Sequence, residues 1–237
     1  MAGGTISDWI VSLRNAGFEE FAESFHTEKS GDDKRLIESG LPIFDRFQVP
    51  YPQFTEDNKE VMGFLLKYEQ FVVRALPIEG RCDLSRRPKI GVYTFDECRE
   101  FLDELFLEDK FRGNEEFYNV SLVEREPAKE SGIIISREGD MLIDIGECGL
   151  DKLSHGENPS ASCSVDFSRI GYITNKMHWT VGGNLEDEKL VQRVLRYIEL
   201  SRDSFNPHFM KGYFEFLVTD SDRIVFWDFK VNEMYLK

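Results

Sequence analysis

Alternation of apolar and polar residues is sharpest near the end of the chain, from Gly212 to Lys230. Phe214, Phe216 and Val218 alternate with Glu215 and Leu217; after the polar turn Asp220-Ser221-Asp222, Ile224, Phe226, Asp228 and Lys230 alternate with Val225, Trp227 and Phe229. A period of two on both sides of a turn predicts an antiparallel hairpin. Carboxylates interrupt it: Glu215 lies between two Phe, and Asp228 between Trp227 and Phe229, with Lys230 two residues on and on the same strand face. Desolvating a lone carboxylate costs on the order of several kcal/mol. These positions therefore call for a divalent cation, for the Lys230 ammonium, or for solvent along one face of an edge hairpin.

Upstream, apolar spacing predicts helices over Thr5–Gly17, Phe18–Phe25, Arg35–Ser39, Glu60–Tyr68, Thr94–Phe106 and Glu186–Arg202. Strands are predicted over Pro42–Val49, Phe71–Pro77, Phe117–Arg125, Gly132–Arg137, Met141–Gly146 and Val165–Ile173, with a long loop from Gly146 to Ser164. Helices and antiparallel hairpins in both halves indicate an α+β fold. Two lobes are expected, with the boundary near Arg112–Tyr118: a helical segment over 1–28, an N-terminal lobe over 29–115 and a C-terminal lobe over 116–237.

Composition narrows the functional classes. The formal charge of −15 argues against general nucleic-acid or anionic-membrane binding, while leaving room for a phosphorylated ligand in a local basic pocket. Cys82, Cys98, Cys148 and Cys163 are far apart and unpaired in pattern, which suits reduced thiols. No apolar run approaches membrane-spanning length and no signal-peptide pattern opens the chain, so a cytoplasmic location is expected.

Two further features concern anions. Arg74 sits inside a buried-type strand, and a guanidinium that cannot shed its charge must meet an anion or reach water. The stretch Ile78–Lys89 carries Arg81, Arg86, Arg87 and Lys89, and reads either as a solvated loop or as a flap over an anionic ligand. His26, His155, His178 and His208 show no paired-ligand spacing, which disfavours zinc. His155 reads as an exposed loop residue, or as a general base or phosphoryl acceptor. Walker A, GxSxG and Rossmann signatures are missing.

Glu215 and Asp228 on neighbouring strands, with Lys230 two positions on, resemble the metal-binding end of ATP-grasp proteins. Four other stretches are similar, in order, to the nucleotide-binding part of pyruvate phosphate dikinase and phosphoenolpyruvate synthase. Ser39-Gly40-Leu41-Pro42-Ile43 resembles G-L-P-V-P, with Lys29 upstream where that family has a phosphate-contacting lysine. Val73-Arg74-Ala75 resembles V-R-S, Ser131-Gly132-Ile133 resembles S-G-V, and Gly149-Leu150 with Gly156 and Pro159 resembles the G-L-G-E loop. The sequence departs at Ala75-Leu76-Pro77, at Asp151, and at Asp228 and Lys230, where that family has glutamine and arginine.

The resemblance implies a two-lobed ATP-grasp-like fold with an interlobe cleft. Glu215 and Asp228 would hold Mg²⁺, Lys29, Arg74 and Lys230 would meet ATP phosphates, and Glu124 or Glu126 would hold the ribose. Of these, Arg74 and Lys230 would serve catalysis. The expected activity is Mg²⁺–ATP-dependent transfer of phosphate to an unidentified acceptor, as a phosphotransferase or as a ligase working through an acyl-phosphate. Nothing resembles the phosphohistidine or pyruvate domains, so the full dikinase cycle is not expected and a separate protein partner stays open. The lost motif residues also allow a degenerate, non-catalytic nucleotide-binding or protein-interaction module.

Overall fold

The structure is a computed structural model and describes residues 32–78, 87–108, 111–137, 139–147, 149–150, 153, 159–166, 176–201 and 208–231. Lys29, His26, His155, the helices expected over 5–25 and most of the basic loop lie outside them. The described chain is α+β, as the sequence indicates, and forms two compact units, Met1–Ile43 with Pro127–Lys237, and Phe44–Glu126. The single break expected near Arg112–Tyr118 is corrected by strand pairing. Tyr118–Glu124 (β4) is bonded on both sides within the Phe44–Glu126 unit, to Arg46–Pro50 (β1) and Phe71–Pro77 (β2).

In that unit the sheet order is β1-β4-β2-β3, where β3 is Arg87–Val92. The basic stretch expected to be loop through Lys89 therefore ends as an edge strand, with Val73 opposite Lys89 and Ala75 opposite Arg87. Pro88 is tolerated because an edge strand has one side of its backbone free of the ladder. Two helices cover one sheet face. Asn58 caps the first, Lys59–Lys67, by accepting from Glu60 and Val61 backbone N–H groups. Thr94 opens the second, Phe95–Leu107: its hydroxyl accepts from Glu97 N at 3.1 Å while Glu97 accepts from Thr94 N at 2.8 Å, a reciprocal capping box. Val61, Leu65, Cys98, Leu102 and Leu105 meet Val73, Ala75, Val120 and Leu122 in the core.

The other unit has a six-stranded antiparallel sheet, ordered β12-β11-β5-β6-β7-β8. These strands are Ala128–Ser136 (β5), Asp140–Gly146 (β6), Ala161–Asp166 (β7), Lys176–Val181 (β8), Gly212–Thr219 (β11) and Ile224–Lys230 (β12). The expected loop to Ser164 thus contains most of β7, which begins at Ala161, and β8 is an unforeseen strand. The helix Leu185–Ile198 lays Leu190, Val191, Val194, Leu195 and Ile198 on one sheet face. It ends at Ile198, short of the expected Arg202, because Glu199–Ser201 (β9) pairs with His208–Phe209 (β10) as a small ribbon. At Gly132 a Cβ would lie 2.2 Å from Phe216 Cζ, so only glycine lets β5 pass that buried ring.

Candidate active site

The terminal hairpin forms where the alternation predicts it, but not with unbroken alternation. Val218 faces Ile224, Leu217 faces Val225 and Phe216 faces Phe226; then Glu215 faces Asp228, leaving Trp227 as an extra residue in β12. This bulge changes the side-chain parity. Phe226 and Phe229 both reach the core beside Phe214 and Phe216, while Asp228 and Lys230 point to the opposite face, with Glu215. Regular pairing would have set Glu215 against Trp227. The bulge is what brings the two carboxylates into register.

All three charged groups are buried: Glu215 is 7% exposed, Asp228 4% and Lys230 7%. Tyr213, opposite Lys230 and 1% exposed, donates its hydroxyl to Glu215 Oε1 at 2.7 Å. The Lys230 ammonium lies 5.7 Å from the Tyr213 ring centroid and 3.6 Å from Asp228 Oδ2, an ion-pair distance too long for a hydrogen bond. Neither carboxylate oxygen of Asp228 has a hydrogen-bond partner among the described residues. A buried carboxylate left that way is costly, and the arrangement suits an added cation.

Hard oxygen donors of this kind match Mg²⁺ or Ca²⁺ rather than soft metals. Among the described residues no group of three or more His, Cys, Asp or Glu forms a metal cage. Two carboxylates are nonetheless the number Mg²⁺ takes from a protein when nucleotide phosphates and water complete its shell.

One lateral row continues across the sheet from Glu215 through Ile133 to Asp144 and Ser162. Asp144 is 2% exposed and accepts from Ser162 Oγ at 2.6 Å. Two strand spacings, about 10 Å, separate its backbone from that of Glu215. Asp144 and Tyr213 are not among the candidates named from sequence, although Ile143-Asp144-Ile145 carries the same signal as Asp228, a carboxylate in an apolar strand.

Arg74, Glu124 and Glu126 belong to the Phe44–Glu126 unit. Arg74 is half-buried on the sheet face opposite the core, between core residues Val73 and Ala75 and across from Ser121. Arg46 on β1 shares that face through the pairs Arg46–Val123 and Arg74–Ser121, a second cation the sequence reading did not single out. Glu124 closes β4 and accepts from Asp45 N at 3.1 Å, while half-buried Glu126 is the last residue of this unit. Lys29 lies outside the described residues.

No protein-family model and no curated protein matches the chain. Among solved structures it is similar to the D-alanine–D-alanine ligase of Coxiella burnetii, with 12% identity, a TM-score of 0.41, and coverage of 83% of this chain and 45% of that one. It is also similar to an N5-carboxyaminoimidazole synthase of Aspergillus clavatus in complex with ADP, with 14% identity, a TM-score of 0.41, and coverage of 83% and 42%. A third is the ATP-grasp ligase PsnB, with 11% identity, a TM-score of 0.36, and coverage of 82% and 48%. The chain spans a little under half the length of these three structures. The resemblance to pyruvate phosphate dikinase is carried by the sequence motifs alone.

Proposed function

We propose that this chain is an ATP-grasp-type, Mg²⁺–ATP-dependent enzyme that transfers phosphate to an acceptor, directly or through an acyl-phosphate in a ligation. The observation that carries this reading is Asp228: a buried carboxylate without hydrogen-bond partners among the described residues, set opposite Glu215 and beside Lys230.

Glu215 and Asp228 hold the divalent cation, which when bound offsets charge on the phosphate oxygens. Tyr213 fixes the Glu215 carboxylate through its hydroxyl. Lys230, already close to Asp228, supplies the positive charge on the phosphate side. Arg74 and Lys29 add cationic contacts to the phosphates, and Glu124 or Glu126 accepts from the ribose hydroxyls. Phosphoryl transfer needs mainly positioning and charge stabilisation, so the chain need not contribute a nucleophile.

The test is thermal denaturation with Mg²⁺ and ATP. Nucleotide with Mg²⁺ is expected to raise the melting temperature of the wild type by mass action. Arg74→Ala and Glu215→Ala are expected to remain folded and lose the shift. A full shift in both variants contradicts this site, and no shift in the wild type favours a non-catalytic interaction module.

A further inference from the structure

Glu215 and Lys230, the groups assigned above to the cation and the phosphate, both contact one residue, Tyr213. Tyr213 is the cross-strand partner of Lys230 and stands two residues before Glu215 on the same face of β11. Its hydroxyl reaches Glu215 Oε1 at 2.7 Å, and its ring face lies 5.7 Å from the Lys230 ammonium. Gly212 brings the strand in close enough for this pairing: at φ +149 its backbone lies where a Cβ would be 2.5 Å from Lys230 O and 2.9 Å from Phe229 Cε2.

We infer that Tyr213 is the positioning residue of the site, orienting Glu215 toward the cation through its hydroxyl and seating Lys230 on its ring. The inference rests on the reading of Glu215 and Asp228 as cation ligands. The two halves of the phenol do separable work. A hydroxyl that donates to a ligating carboxylate fixes the direction of that carboxylate, and losing such a support weakens metal affinity by about 10–100-fold in other proteins. The ring attracts the ammonium through its quadrupole and does not need the hydroxyl for this. Tyr213 is too buried for the hydroxyl to be replaced freely by solvent.

The separation makes a direct test. Mn²⁺ binding is measured by electron paramagnetic resonance in the presence of a non-hydrolysable ATP analogue, for wild type and Tyr213→Phe. Analogue affinity is measured in parallel in EDTA. Tyr213→Phe keeps the ring and its packing, so it is expected to lose at least about 10-fold in Mn²⁺ affinity with unchanged metal-free nucleotide affinity. A residue that merely filled space would move neither quantity. Tyr213→Leu, which also removes the ring, is expected to weaken metal-free nucleotide binding as well. Wild-type Mn²⁺ affinity in Tyr213→Phe overturns the inference while leaving the cation site standing. If the wild type binds no Mn²⁺, both the inference and the reading beneath it fail. A variant that loses its cooperative melt in EDTA shows Tyr213 to be structural, which also overturns the inference.

Discussion

Glu215 faces Asp228 across the terminal hairpin, and it does so because Trp227 is one residue too many for regular pairing. A single bulge thus sets which face of the strand carries the charges, sending Phe226 and Phe229 to the core and Asp228 and Lys230 the other way. Bulges next to active sites often re-aim a side chain in this manner.

If Asp228 takes a divalent cation, as proposed, the buried Lys230–Asp228 pair ties stability to that cation. Lys230→Met keeps much of the volume but leaves Asp228 without its cationic neighbour. Breaking a buried pair on one side costs about 3–5 kcal/mol, so the variant is expected to unfold at lower urea in EDTA. Saturating Mg²⁺ should restore part of that loss, because a bound cation stabilises the folded state by mass action. Urea midpoints with and without Mg²⁺ check this; equal midpoints in both buffers would contradict it.

Gly132 and Phe216 form a second, purely structural pair. Gly132→Ala drives a methyl to within 2.2 Å of Phe216 Cζ, a ring that is fully buried, and also to 3.0 Å of Asp144 O. Overpacking of this kind costs about 1–3 kcal/mol. Phe216→Leu opens the space, so the double variant is expected to be more stable than the sum of the single effects. Additive losses in a double-mutant cycle would place the strain elsewhere.

Cys163 carries a pH signature. Burial, helped by Asp144 and Asp187, pushes its thiol up to about 12 from its ordinary value of 9.0. A group whose proton is held more tightly in the folded state contributes stability that is fully present below its unfolded value and lost as pH rises. The window is therefore about pH 9 to 12, worth on the order of 4 kcal/mol at 1.36 kcal/mol per unit. Cys163→Ala is expected to flatten the alkaline limb of the stability curve relative to wild type. The native thiol is expected to resist alkylation at pH 8 and react once unfolded.

Much of this was legible in the chain. The hairpin, the three charged residues of its strands, the Thr94 capping box and the stripe on Leu185–Ile198 follow from period and capping chemistry that act locally. What escaped the reading is non-local. Trp227 fits alternation as well as it fits a bulge, and only pairing with β11 decides between them. The strand Arg87–Val92 hid behind arginines and Pro88, because an edge strand does not require an apolar pattern. Glu199–Ser201 extends a helical pattern and is diverted by pairing with His208–Phe209. The discontinuous unit formed by Met1–Ile43 and Pro127–Lys237 has no local marker at all, since it is defined by which strands meet.

The central claim, a cation-dependent nucleotide site on Glu215 and Asp228, is tested most directly by calorimetric titration of ATP with and without Mg²⁺ on wild type and Glu215→Ala. The account predicts ATP binding that Mg²⁺ strengthens in the wild type and loss of that strengthening in the variant. Binding that ignores Mg²⁺, or that survives undiminished in Glu215→Ala, would contradict it.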